Sequence, residues 1–134
     1  MIALDTSVVA AALATWHEGH AAAVAALARR PRLPAPVVME ACSVLTRLLP
    51  PHRVPAGIAE AFLRERFPGA PLTLPGAAQR DLIGFAARAG LLGGAIYDAL
   101  VAATVKRAAA TLLTRDRRAV PAYEAVGVRY ELVG

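Results

Sequence analysis

Three acidic residues stand alone in stretches that otherwise read as protein interior. Asp5 follows the apolar run Ile2 to Leu4 and is the only charged residue before Glu18. Glu40 lies in LPAPVVMEACSVLT and is the only charge between Arg32 and Arg47. Asp98, in GAIYDALVAA, is the only charge between Ala89 and Val105. A fourth acid, Asp116, comes directly after the apolar run Thr111 to Thr114, inside the cluster TRDRR. The other acids, Glu18, Glu60, Glu65, Asp81, Glu124 and Glu131, sit in polar stretches that contain arginine. An ionised carboxylate buried without a partner costs several kcal/mol, as an order of magnitude. Each lone acid has a local explanation as a helix cap or turn residue. Asp98 and Glu40 also fall near expected helix starts, where the dipole favours an anion.

Their joint placement points further. Asp5 and Asp116 both end short apolar runs that read as neighbouring central strands. Glu40 and Asp98 both fall in the first turns of apolar helices. All four can face one crevice at the strand ends. At about 4 Å separation each carboxylate pair costs about 1 kcal/mol in water, and several at the lower dielectric of a protein surface. A divalent cation removes that repulsion, and oxygen-only ligation suits Mg²⁺, or Mn²⁺.

The elements that must position these groups follow from periodicity. Strands are expected at Ile2–Leu4, Thr111–Thr114 and Val128–Leu132, with shorter extended pieces at Leu33–Ala35 and Pro71–Leu74. Helices are expected over Ser7–Leu13, Glu18–Arg30, Val37–Leu49, Pro55–Arg66, Gly76–Ala89 and Tyr97–Ala109. In the last of these Tyr97, Leu100, Val101, Thr104, Val105 and Ala108 share one face. Strands alternating with helices imply an α/β fold: a three-layer sandwich with a central parallel sheet flanked by helices. The 134 residues fit one compact domain spanning 1–134.

Composition narrows the class. Hydrophobic residues make up 57% and charged residues 19%, which excludes disorder and supplies a core. The net charge of +5, carried almost wholly by arginine, favours a polyanionic partner. The single cysteine, Cys42, excludes an internal disulfide and a thiolate-only metal site. The N-terminus carries no basic region ahead of its apolar run, and no apolar stretch is long enough to span a membrane. The cytoplasm is the expected compartment, with no membrane partner. His17 and His20 in WHEGH lack the spacing of a zinc protease helix and read as a surface helix start.

The segments MIALDTSVV, PVVMEACSVLTRL, IYDALVAA and LLTRD, in this order, resemble the PIN domain, and more narrowly the VapC toxins of bacterial toxin–antitoxin pairs. The resemblance spans the chain from Ile2 to the last strand. It implies a metal-dependent endoribonuclease that cuts RNA, often transfer or ribosomal RNA. It matches the four acids of that family to Asp5, Glu40, Asp98 and Asp116, as metal ligands and catalytic groups. Ser7 and Thr114 correspond to the family's supporting hydroxyls. It further implies a homodimer and a VapB-type antitoxin whose tail covers the acidic groove. The family often carries an aromatic residue shortly after the fourth acid, where this chain reads RRAVPAY; docking of that last segment is left open.

In the corresponding chemistry a bound metal lowers the pKa of a water and neutralises the scissile phosphate. Glu40 is the candidate to orient or deprotonate that water. Arg115, Arg117 and Arg118 flank Asp116 and are candidates to hold neighbouring phosphates. Two rival readings stay open. A haloacid-dehalogenase-like phosphatase would need an aspartate where Ser7 stands. A binding module that kept the scaffold and lost catalysis would not need four intact acids.

Overall fold

Two strands with no charged side chain pair at the centre of the molecule, and everything else is arranged around them. The computed structural model describes residues 1–134. Strand β1 (Ile2–Leu4) pairs in parallel with β2 (Thr111–Thr114), which pairs in parallel with β3 (Arg129–Leu132). In register, Ile2 faces Thr111, Ala3 faces Leu112 and Leu4 faces Leu113. On the far side of β1, isolated parallel bridges join Ala3 to Arg32 and Pro34 to Leu72. They mark the two short extended pieces expected near residues 33 and 72, too brief to form full strands. Strands buried on both faces read as continuous apolar runs, as β1 and β2 do. Seven helices complete the chain: α1 (Thr6–Leu13), α2 (His20–Leu27), α3 (Ala35–Thr46), α4 (Ala56–Arg66), α5 (Gly76–Ala89), α6 (Gly94–Arg107) and α7 (Val120–Val126). The architecture is the expected α/β sandwich with a parallel sheet flanked by helices.

One cluster of 23 buried apolar residues ties the layers together. Helix α1 contributes Val8, Val9, Ala11 and Ala12, and α6 contributes Val101, Ala102 and Val105. The small alanines let these helices approach the sheet closely, which fixes the helix starts relative to the strand ends. Prolines set several boundaries. Pro34, Pro55 and Pro75 each stand just before a helix, with φ already near the helical value.

Several boundaries differ from expectation. Helix α2 is shorter than Glu18–Arg30, because residues 15–19 form turns and Arg30 takes a positive φ of 54°. Helix α3 starts earlier and ends at Thr46 rather than Leu49. Helix α6 starts at Gly94, immediately after Gly93 at φ 55°, not at Tyr97. Tyr97 is 68% exposed, so the buried face runs through Ala99, Val101, Ala102, Thr104 and Val105 instead. These earlier starts move Glu40 and Asp98 out of the first turn and into the second. Neither α3 nor α6 has an acid in its first turn, so dipole compensation does not account for Glu40 or Asp98. Helix α7 was not anticipated. It is short, follows a charged run, and ends at Gly127, whose φ of 85° suits glycine.

Candidate metal and catalytic site

Asp5 occupies the junction between β1 and α1, and both of its carboxylate oxygens are met by hydrogen-bond donors. One carboxylate oxygen, Oδ1, caps α1 by accepting from the backbone N–H groups of Ser7 at 3.0 Å and Val8 at 3.4 Å. It also accepts from Ser7 Oγ at 2.5 Å. Capping accounts for that oxygen. The other, Oδ2, accepts from Thr114 Oγ1 at the end of β2 and from Tyr123 OH at 2.9 Å. The two hydroxyls expected to support the site serve a second time. Ser7 Oγ accepts from the Arg115 N–H at 2.8 Å, and Thr114 Oγ1 accepts from the Asp116 N–H at 3.0 Å. Each hydroxyl thereby locks the loop after β2 onto Asp5.

Asp5, Glu40, Asp98 and Asp116 line one small cavity of about 30 Å³, together with Ser7, Val37, Val101 and Tyr123. Four separate stretches of chain therefore deliver their acids to one place. Asp5 is buried, Asp98 and Asp116 are half-buried, and Glu40 is exposed at the rim. Asp5, Glu40 and Asp98 make no ion pair. Asp116 meets Arg118 at 3.4 Å, but that arginine is 94% exposed, so the pair is weak. Asp116 Oδ1 also accepts the Arg118 N–H at 3.0 Å, closing a local turn.

The electrostatics register this crowding. Burial first, and then the charges of Asp116, Glu40 and Asp5, push the Asp98 carboxyl up to about 6. Burial also raises the Asp5 carboxyl, opposed by the hydrogen bonds of Ser7, Thr114, Tyr123 and Val8. Burial and the nearby Asp5 charge push the Tyr123 phenol far upward, so it stays protonated and donates. The acids do not form a closed shell: no three His, Cys, Asp or Glu side chains are grouped closely enough to wrap one ion directly. The donor set fits a hard ion that keeps several of its waters, as Mg²⁺ does, with some acids acting through those waters. With Glu40 exposed at the rim, solvent reaches the cavity and can complete such a shell from outside.

The flanking arginines are placed differently from one another. The Arg115 side chain is only 15% exposed and folds over Gly19, where its guanidinium approaches Glu18 at 3.9 Å. It is held by the α1–α2 loop rather than free for a phosphate. Arg117 is exposed with no ion pair, and Arg118 leans on Asp116.

Sequence reasoning missed Tyr123. It is 2% exposed and carried by α7, the helix that was also missed. The signal was the aromatic residue in RRAVPAY, set further from Asp116 than the family habit suggests. Tyr123→Phe removes one hydrogen bond to a buried carboxylate and is expected to cost about 1–2 kcal/mol of stability, read by urea denaturation. An unchanged unfolding midpoint would show that the phenol contributes nothing to holding Asp5.

The PIN domain profile matches residues 2–124, and the chain belongs to the PIN domain family, in its VapC branch. Among its relatives, ribonuclease VapC40 of Mycobacterium tuberculosis is 50% identical over 133 residues, covering 99% of each chain. Ribonuclease VapC27 of Mycobacterium tuberculosis is 42% identical over 128 residues, covering 95% of this chain and 93% of that one. The fold is shared with FitAcB from Neisseria gonorrhoeae, with a TM-score of 0.70 at 24% identity over 97% of this chain and 96% of that one. It is shared also with FitAB bound to the IR36 DNA fragment, at TM-score 0.68 and 22% identity over 98% and 94%.

Proposed function

We propose that this chain is a Mg²⁺-dependent endoribonuclease, Mn²⁺ being able to substitute, and the toxin of a toxin–antitoxin pair. The observation that carries the reading is the meeting of Asp5, Glu40, Asp98 and Asp116 in one cavity, three of them without a cationic partner. The ribonuclease relatives and the basic surface support RNA as the substrate.

The bound cation would supply counter-charge for the scissile phosphate and acidify a water. The chain's own groups would divide the remaining work. Asp5 and Asp98 would hold the cation, with Asp116 and Glu40 reaching it directly or through water. Glu40, exposed at the rim, is best placed to orient the attacking water and take its proton. Ser7, Thr114 and Tyr123 keep Asp5 from turning away. Arg117 and Arg118 would meet the phosphates on either side. A phosphatase reading lacks its second aspartate, because residue 7 is a serine committed to Asp5.

The partner readings belong to the same proposal. A VapB-type antitoxin would find an apolar groove of about 810 Å³ between α3 and α4, beside the helix that carries Glu40. Met39, 74% exposed, opens onto it. Action on RNA in the cytoplasm and homodimer formation belong to the same proposal, on the VapC relationship; no helix is long and apolar enough to cross a membrane.

The test is cleavage of end-labelled transfer and ribosomal RNA by the purified chain. Cleavage is expected in Mg²⁺ or Mn²⁺, lost in excess EDTA, and restored when Mg²⁺ exceeds the chelator. Equal cleavage in EDTA would overturn the reading.

A further inference from the structure

The loop after α1 and the loop after α3 place two aromatic rings face to face on the surface. The Trp16 and His52 ring centroids are 4.0 Å apart with 30° between their planes. Trp16 is 52% exposed, and His52 is exposed as well. A stack this open covers little apolar area, so burial does not explain why the largest side chain of the protein sits there.

A line of contacts connects this stack to the acids. The Arg115 N–H donates to Ser7 Oγ beside Asp5, and its guanidinium reaches His17 Nδ1 at 3.4 Å. The His17 ring lies 5.7 Å from the Trp16 ring. The Gly19 N–H also donates to His17 Nδ1 at 2.9 Å, which fixes that nitrogen as an acceptor. The proton of a neutral His17 is therefore on Nε2, a donor available to a ligand. Gly19 allows this packing, because a Cβ there would lie 2.3 Å from Arg115 Cζ. Two exposed arginines lie near His52 in sequence on the α3–α4 connection. Arg53 follows His52 in sequence and is anchored by its Nε to the Leu48 carbonyl at 3.0 Å, while Arg47 is anchored to Ser43 Oγ at 2.8 Å.

We propose that Trp16 and His52 form a stacking subsite for an unpaired base of the RNA whose backbone the acids hold. The subsite rests on the ribonuclease reading and adds a single-stranded requirement to it. Aromatic faces flanked by cations are how proteins hold splayed bases, since every base offers a π-face whatever its sequence. The α1–α2 loop, tied to Arg115 through His17 Nδ1, sets the distance between that base and the cut.

Trp16 is the only tryptophan, so its fluorescence reports on this subsite alone. The experiment titrates the Asp5→Asn chain, whose cleavage is slowed, with a short single-stranded RNA. Anisotropy of labelled RNA follows binding in parallel. Saturable quenching of Trp16 is expected for the single strand and not for a duplex of the same sequence. In the same background, Trp16→Ala should weaken single-strand binding about 5- to 150-fold, the range given by stacking of one base, and Trp16→Phe should recover most of it. In the cleaving protein, Trp16→Ala should raise KM far more than it lowers kcat. RNA that binds tightly while Trp16 fluorescence stays unchanged overturns the subsite and leaves the ribonuclease reading standing. If neither binding nor cleavage occurs, both fall together. Should the alanine variant prove unstable, the quenching measurement decides by itself, because it leaves both rings in place.

Discussion

Asp5→Asn will lower RNA cleavage roughly 100- to 1,000-fold while leaving the fold intact, the loss typical of one group that stabilises transition-state charge. The geometry explains why those two effects separate. Asparagine caps a helix as well as aspartate does, so Oδ1 can keep the N–H groups of Ser7 and Val8. The new amide faces Thr114 and Tyr123, whose hydroxyls can turn from donating to accepting. What disappears is one negative charge at the centre of the acid group. Asp5→Ala is the contrasting variant. It loses the cap, worth about 1 kcal/mol, takes away the acceptor of Thr114 Oγ1 and leaves the buried Tyr123 hydroxyl without a partner. Cleavage of labelled RNA and urea denaturation, run on both variants, read the two effects. Full activity in Asp5→Asn would remove this carboxylate from the chemistry.

Asp98→Asn will stabilise the metal-free protein at neutral pH and abolish its stabilisation by Mg²⁺. The Asp98 carboxyl stands at about 6 in the folded protein, against 3.8 for the unperturbed group. Between those values the folded chain holds more proton than the unfolded chain. Stability therefore falls as pH rises through that window and stays reduced above it. Asparagine has no such penalty. Asp98 is half-exposed, so solvent screening limits the gain to on the order of 1 kcal/mol. In EDTA, the difference between variant and parent should be absent at pH 4 and open by pH 7. Adding Mg²⁺ should raise the parent's unfolding midpoint, by about 2.7 kcal/mol at 100 times its dissociation constant, and leave the variant's unmoved. A difference that is the same at both pH values would mean that neither burial nor the neighbouring acids raise the Asp98 carboxyl.

Asp5, Glu40, Asp98 and Asp116 were legible as a group because each interrupts or ends an apolar run, and apolar runs are what the sheet and its helices are made of. The strand pairing of Ile2–Leu4 with Thr111–Thr114 follows from the same runs. What lay beyond reach depended on contacts that leave no periodic mark. The start of α6 was misplaced because glycines at 93 and 94 read as loop. Helix α7 was missed because seven residues barely show a helical period. Tyr123 was missed with it, since only the tertiary fold brings residue 123 to residue 5. Arg115 looked like a free cation in TRDRR, yet it packs against Gly19 and Glu18, because a guanidinium can cover a glycine surface that no larger residue would leave open.

The donors to Asp5 Oδ2 lie 109 and 118 positions further along the chain. Synthesis must therefore run past Tyr123 before Asp5 Oδ2 meets both of its donors. Until then only the local cap through Oδ1 is within reach, and the β2 edge of the first strand is open. Such long-range closure makes completion of the Asp5 pocket a late event in biosynthesis.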